Sequence, residues 1–289
     1  MENLQTRGHL AALLTAVIWG ATFISTKMLL EDFLPVEILF IRFVLGFIAL
    51  CIVCPKMIRG TTPKQELMFA GAGLFGITLY YLCENIALTY TMASNVGVIT
   101  ALAPFFTALL ALVFLKEEKK GLKFYIGLAV ALTGIALISF NGAALKLDPK
   151  GDLLALTAAL MWGFYSVILK KISAFGYSTL QVTRRIFAYG LVFMIPALWL
   201  SGAQPGLSRL ADPANLFNLL FLGLGASALC FVTWNYAVKV LGAVKTSVYI
   251  YLIPVITVAL SVTVLREPFT LMLAAGTALT LAGLAVSER

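Results

Sequence analysis

Three charged side chains stand where the sequence offers them almost no water: Glu84 in LYYLCENIAL, Arg42 in IRFVLGFIAL and Arg185 in RRIFAYG. A carboxylate inside an apolar helix must hold a cation, pair with a basic side chain, or take up a proton and carry it. At 1.5 Å per residue Glu84 lies about 7 Å below the end of its helix. If that helix stops early, the alternative is a carboxylate that reaches interfacial water. Arg42 enters from the same side to a similar depth, so an Arg42–Glu84 interaction is expected. Arg185 sits seven residues into a helix that Ser178 and Gln181 could open as a capping box, and beside Arg184 it could equally snorkel outward. The amides of Asn85, Asn95 and Asn235 lie in apolar runs and must hydrogen-bond something. His9, the only histidine, lies where the first apolar run begins, and a proton relay there competes with a plain edge position. Cys51 and Cys54, spaced C-x-x-C, read with Cys83 and Cys230 as small core residues and not as a disulfide or metal framework.

The elements that must carry these side chains are membrane spans. Of 289 residues, 61% are hydrophobic and 12% charged, too little polar surface to coat a soluble globule. Spans need about 20 residues each, and ten are expected, at roughly 9–29, 35–54, 67–89, 94–115, 121–140, 152–171, 178–200, 215–238, 242–265 and 269–286. The first is too long for a signal peptide and lacks an A-x-A-like site, so it is expected to stay on the chain. The net charge of +8 is not spread for nucleic acid. Arg7, Lys56, Arg59, Lys64, Lys116, Lys119, Lys120, Lys123, Lys170, Lys171, Lys239, Lys245 and Arg289 fall on one side, against Lys27, Lys146, Lys150, Arg209 and Arg266 on the other. That asymmetry places both termini in the cytoplasm of a multi-pass protein of the cell membrane.

The chain is also one unit written twice. APFFTALLALVFLKE (103–117) overlays IPVITVALSVTVLRE (253–267), and Asn85 falls on Asn235 at the same offset. HLAALLTAVIWGATFISTK (9–27) overlays DLLALTAALMWGFYSVILK (152–170). Five spans per unit is an odd number, so the second unit must enter the membrane from the opposite side. The fold class is therefore an all-α membrane protein, ten transmembrane helices in two inverted five-helix repeats, residues 1–141 and 150–289. The loop 141–151 joins them. Gly127 with Gly134, and Gly276 with Gly283, put small faces on the fifth and tenth spans for close packing.

Pro104 and Pro254 are repeat mates inside the fourth and ninth spans. Each removes a backbone hydrogen bond, and the kinks would open space at mid-membrane and serve as bending points for gating. Static kinks that improve packing are the alternative. Lys116–Glu117 and Arg266–Glu267 end these two spans, and read first as solvated charges and second as ties or gates.

Taken in order, WGATFISTK, IRFVLGFIAL, APFFTALLALVFLKE and GLAVALTG, then WGFYSVILKK, RRIFAYG, LIPVITVALSVTVLRE and GTALTLAG, resemble the EamA-type branch of the drug/metabolite transporter superfamily over practically the whole chain. The resemblance implies a central cavity lined mainly by helices 1, 3, 4, 6, 8 and 9, and secondary transport, often export of amino acids or other small metabolites. Trp19, Tyr80, Tyr81, Trp162, Tyr165, Trp234, Tyr249 and Tyr251 fall on those helices, where polar-tipped rings would suit organic cargo or merely populate the interfaces. With Glu84 they form the candidate substrate site, with Arg42 and Arg185 as candidates for charge pairing or coupling. One acid among several bases suits a zwitterion or an anion better than a lipophilic cation. The expectation is thus a secondary transporter, a metabolite exporter of the bacterial inner membrane working by alternating access. A proton-coupled drug or organic-amine transporter is the alternative, and a channel a more distant one. No cofactor, metal or enzymatic activity is expected. The expected partners are a small-molecule substrate and the lipid bilayer, with a homodimer left open.

Overall fold

A computed structural model describes residues 2–115, 121–139, 149–203 and 207–287. Lys116, Glu117, Lys119, Lys120, Lys146, Arg289 and most of the joining loop lie outside the described residues. Among the described residues there is no strand. Ten helices follow one another: α1 (Glu2–Leu29), α2 (Pro35–Val53), α3 (Pro63–Tyr90), α4 (Ala93–Phe114), α5 (Leu122–Ser139), α6 (Pro149–Ser173), α7 (Thr179–Leu200), α8 (Pro213–Leu241), α9 (Ala243–Val264) and α10 (Leu271–Ser287). Eight are long and apolar enough to cross a membrane, and α5 and α10 are the shorter two.

Helix ends follow local chemistry. Thr62 and Gln65 form a reciprocal capping box ahead of Pro63, with Gln65 N donating to Thr62 Oγ1 at 3.3 Å and Thr62 N to Gln65 Oε1 at 3.0 Å. At the equivalent place in the second half, Asp212 Oδ1 accepts from Ala214 N at 2.7 Å ahead of Pro213. The expected Ser178–Gln181 box does not form. Ser178 sits at the cap without a side-chain bond, and Gln181 Nε2 donates instead to Lys56 O at 3.3 Å. α8 passes to α9 through Gly242 alone, at φ +93°, a backbone that only glycine adopts without strain.

The contacts carry the signature of an inverted repeat. α1 runs antiparallel to α8: Gly8 meets Leu241, Trp19 bonds Ala226, and Ser25 bonds Asn218. α6, the mate of α1, runs antiparallel to α3, the mate of α8: Gly151 meets Thr91, Tyr165 meets Gly76, and Ile168 meets Gly71. Gly20 packs on Ile256 as its mate Gly163 packs on Phe106, the mate of Ile256. The fifth helices of the two halves pack on each other head to tail. A Cβ added at Gly134 would lie 2.5 Å from Gly276 O, and one at Gly283 2.5 Å from Gly127 O, so the four glycines let two backbones touch.

The prolines break their helices where continuous kinked ones were expected. α4 unwinds at Ala101–Leu102 and restarts at Ala103 with Pro104 in its first turn. α9 tightens to a 3-10 turn over Val248–Tyr251 and restarts at Leu252, again with Pro254 in the first turn. A proline there needs no N–H, because first-turn amides have no intrahelical partner. Both halves also carry a π-helical stretch, Leu74–Leu79 in α3 and Phe221–Leu229 in α8, at corresponding positions.

Candidate functional site

The core is a stack of aromatic rings at the crossing of α1, α3, α6 and α8. Trp19 and Trp162 are repeat mates and meet edge to face, centroids 5.2 Å apart at 88°. Tyr80 packs on Trp162 at 5.0 Å and on Tyr81 at 4.7 Å. Trp19 Nε1 donates to Ala226 O at 2.9 Å, within the π-helical stretch of α8. The mate of that bond is missing, because Trp162 Nε1 is buried with no partner in the protein.

Between these rings lies a cleft, partly open to solvent, whose interior in this conformation has room for little more than a water molecule. Trp19 and Thr22 of α1, Tyr80, Tyr81 and Glu84 of α3, and Trp162 of α6 form its polar and aromatic wall. Thr100 and Ala103 flank the break in α4, and Ile250 and Ile253 flank the restart of α9, so both proline breaks open onto it. α8 backs the wall through Phe231 and Trp234 without lining it.

Glu84 is 1% exposed and its Oε1 has no partner in the protein. It lies six residues inside the end of α3, about 9 Å deep, so it does not reach the rim. Arg42 is fully buried behind Tyr81, its guanidinium 4.4 Å from that ring, and its Nε donates to Ser227 Oγ at 3.0 Å. Nη1 and Nη2 are unpartnered, and no direct Arg42–Glu84 ion pair forms. Tyr81 takes the guanidinium on its face instead.

None of the other described arginines lines the cavity. The end at which α1 begins is called here the near face, and the opposite end the far face. At the near face Arg185 Nη2 meets Glu66 Oε1 at 2.6 Å, and Tyr189 OH donates to Glu66 Oε2 at 2.5 Å. Arg184 caps the end of α2 through Cys54 O and Lys56 O. These bonds, and not snorkelling alone, hold the pair. The expectation of several bases around the cargo is therefore corrected: their partners are helix ends and Glu66.

Tyr165, Trp234 and Tyr249 also lie off the cavity. Tyr165 OH donates to Asn235 Oδ1 at 2.6 Å, and Asn235 Nδ2 donates to Thr183 Oγ1 at 2.9 Å, tying α6, α7 and α8 together. Asn85 Nδ2 makes one cross-helix bond, to Pro35 O at 3.1 Å. Trp234 is fully buried against Trp19 and Trp162. Tyr249 OH sits 2.7 Å from His9 Nδ1 near the start of α1. The four cysteines are free.

The far face holds two constellations that the sequence did not announce. Arg209 grips Glu37 with both Nη atoms, at 2.9 and 3.0 Å, and these bonds raise the arginine's pKa above its usual value. At the same face, Lys27 Nζ donates to Leu88 O and to Thr91 O. Glu267 accepts from Ala93 N at 2.9 Å, Ser94 N at 3.3 Å and Ser94 Oγ at 2.7 Å, capping the exposed amides of α4. Glu267 is aimed there by Arg266, whose backbone is left-handed at φ 54°. Glu267 is thus a tie between helices, the second of the two readings of that charge. Only the recurrence of Lys27 in Lys170, and of Lys-Glu in Arg-Glu, could have signalled this latch in advance. At the near face, Lys170, the mate of Lys27, makes no side-chain hydrogen bond or ion pair among the described residues, and Glu117, the mate of Glu267, lies outside them.

Relatives share the whole length. A transporter of Archaeoglobus fulgidus with no assigned function is 28% identical over 285 residues, covering 97% of this chain and 96% of its own. A probable terminal-alkyne amino-acid exporter of Streptantibioticus cattleyicolor is 29% identical, over 96% and 92%. A probable amino-acid metabolite efflux pump of Salmonella typhimurium is 28% identical, over 96% and 93%. One solved crystal structure shares the fold at a TM-score of 0.71 and 20% identity, over 98% of this chain and 97% of that one. The EamA-like transporter family model matches twice, at residues 6–140 and 149–288, and the chain belongs to that family of the drug/metabolite transporter superfamily.

Proposed function

We propose that this multi-pass transporter exports small metabolites such as amino acids across the inner membrane by alternating access, with the near face and both termini in the cytoplasm. The Lys27–Glu267 latch carries the reading. It joins the far ends of α1, α3, α4 and α9, whereas among the described residues its repeat mate Lys170 makes no such bond. In an inverted repeat, exchanging the conformations of the two halves makes the near latch and breaks the far one. The breaks beside Pro104 and Pro254 border the cavity and give α4 and α9 bending points at the depth of the cargo. Glu84, Trp19, Tyr80, Tyr81 and Trp162 hold the solute. Two relatives named for amino-acid export support that direction and class.

Counterflow tests this reading. Proteoliposomes loaded with unlabelled amino acids and diluted into trace labelled ones should show a transient accumulation above equilibrium. A channel equilibrates without overshoot, so its absence for every solute that permeates would overturn alternating access. Cysteine substitutions at Lys64 and Asp212, in a chain freed of its four cysteines, should react from the cytoplasm and the outside respectively.

A further inference from the structure

We infer that the cavity selects its solute by an ammonium group, which Glu84 binds within a cage formed by Trp19, Tyr80, Tyr81 and Trp162. This rests on the transport reading above and names what that site takes. Among the described residues lining the cavity, Glu84 is the only ionisable side chain besides the two tyrosines, and no lysine or arginine shares it. The Tyr80 hydroxyl is the carboxylate's neighbouring donor, and its Oε1 is buried without a partner in the protein, which is unfavourable in a dry site until a further donor arrives. A cationic donor supplies both the hydrogen bond and the charge.

The walls suit the same guest. Four electron-rich rings border the space beside the carboxylate, and ring faces attract ammonium groups, most strongly when desolvated. Of the basic residues that would favour an anion, Arg185 is engaged on Glu66 and Arg184 on the end of α2, while Arg42 lies behind the wall, screened from the cavity by the Tyr81 ring. The mate of Glu84 is the fully buried Trp234, so the second half contributes no matching acid and the site holds one ammonium at a time. Trp162 Nε1, on the same wall, is a donor without an acceptor. It gives a carboxylate or carbonyl on the same solute a place to bond, which an amino acid would use and a simple amine would not.

Three matched probe pools separate the sources: proteinogenic amino acids, their decarboxylated amines, and their des-amino carboxylic acids. Each is scored by thermal shift of the purified full chain and by competition in counterflow. The amino-acid pool, the amine pool or both should stabilise the wild type, and the des-amino acids should not. Glu84→Gln should weaken that stabilisation about 10- to 100-fold, as expected for losing a charged hydrogen-bond partner, while Glu84→Asp stays within a few-fold of wild type and shows that the fold tolerates the position. Trp162→Phe should weaken the amino-acid pool alone if the carboxylate is read there, and equal loss for both pools returns Trp162 to the cage. Stabilisation by the des-amino acids, insensitivity of the ammonium pools to Glu84→Gln, or no response to either ammonium pool overturns the inference. Counterflow with a solute that lacks a basic nitrogen would overturn it while leaving the transport reading intact. Loss of counterflow for every solute would strike the transport reading instead.

Discussion

The two halves share their scaffold residues and differ in the residues that meet cargo or charge. Gly20 and Gly163 pack the same way, both fourth helices restart at a proline, and Thr62 and Asp212 cap equivalent helices. Yet Glu84 faces a buried Trp234 across the pseudo-twofold, Tyr80 a cysteine, and bonded Trp19 an unbonded Trp162. Arg42 is sealed in the core, while its mate Arg185 keeps a side chain 29% exposed at the near rim. Symmetry therefore marks what packs the helices, and its failure marks where the halves do different chemistry.

Substitutions at mates can break this comparison. The largest effect is expected at the α5–α10 crossing, where Gly134→Leu and Gly283→Leu drive side chains into the opposing backbone. Overpacking costs about 1–3 kcal/mol even in forgiving cores, and detergent-stable yield should fall at least tenfold, whereas Gly121→Leu, with open space around it, should purify like wild type. Asn235→Leu should come next. It strands Tyr165 OH and takes from Thr183 Oγ1 the bond it accepts, leaving only its bond to Thr179 O, and at about 0.6–1.7 kcal/mol per interhelical bond it should lower Tm by more than Asn85→Leu, which loses one bond. Equal losses at the two asparagines would mean that the halves are held alike. The smallest effect is expected for Arg266→Gly, which relieves a left-handed backbone at a gain of about 1 kcal/mol or less and should leave Tm level or slightly raised.

The helix count, the inversion and the small glycine faces of α5 and α10 were legible in the sequence, because apolar length, odd span number and seven-residue glycine spacing act locally, while the fact that these two faces meet each other came only from the fold. Trp19, Tyr80, Tyr81, Glu84 and Trp162 come together around one cavity for the same reason, since each faces inward from a span placed by its repeat. Tyr165, Trp234 and Tyr249 did not follow, because rotation about a helix axis decides between cavity and core, and the π-helical stretches in α3 and α8 change that rotation midway. Only glycines such as Gly76 and Gly223 hinted at them. The Glu66–Arg185 and Glu37–Arg209 pairs were hidden because each joins helices whose register no local spacing fixes.

The central claim is that the far latch and its near-face mate close by turns, and distances between spin labels test it directly. Labels at Met28 and Tyr90 report the far face, and labels at their repeat mates Lys171 and Val240 report the near face. Glu267→Ala removes three bonds to the start of α4, and charge-assisted bonds worth about 1.5–3 kcal/mol should move the balance tenfold or more. The account predicts that the far pair lengthens while the near pair shortens in the same sample. Lengthening of both pairs, or movement of the far pair alone, would contradict it.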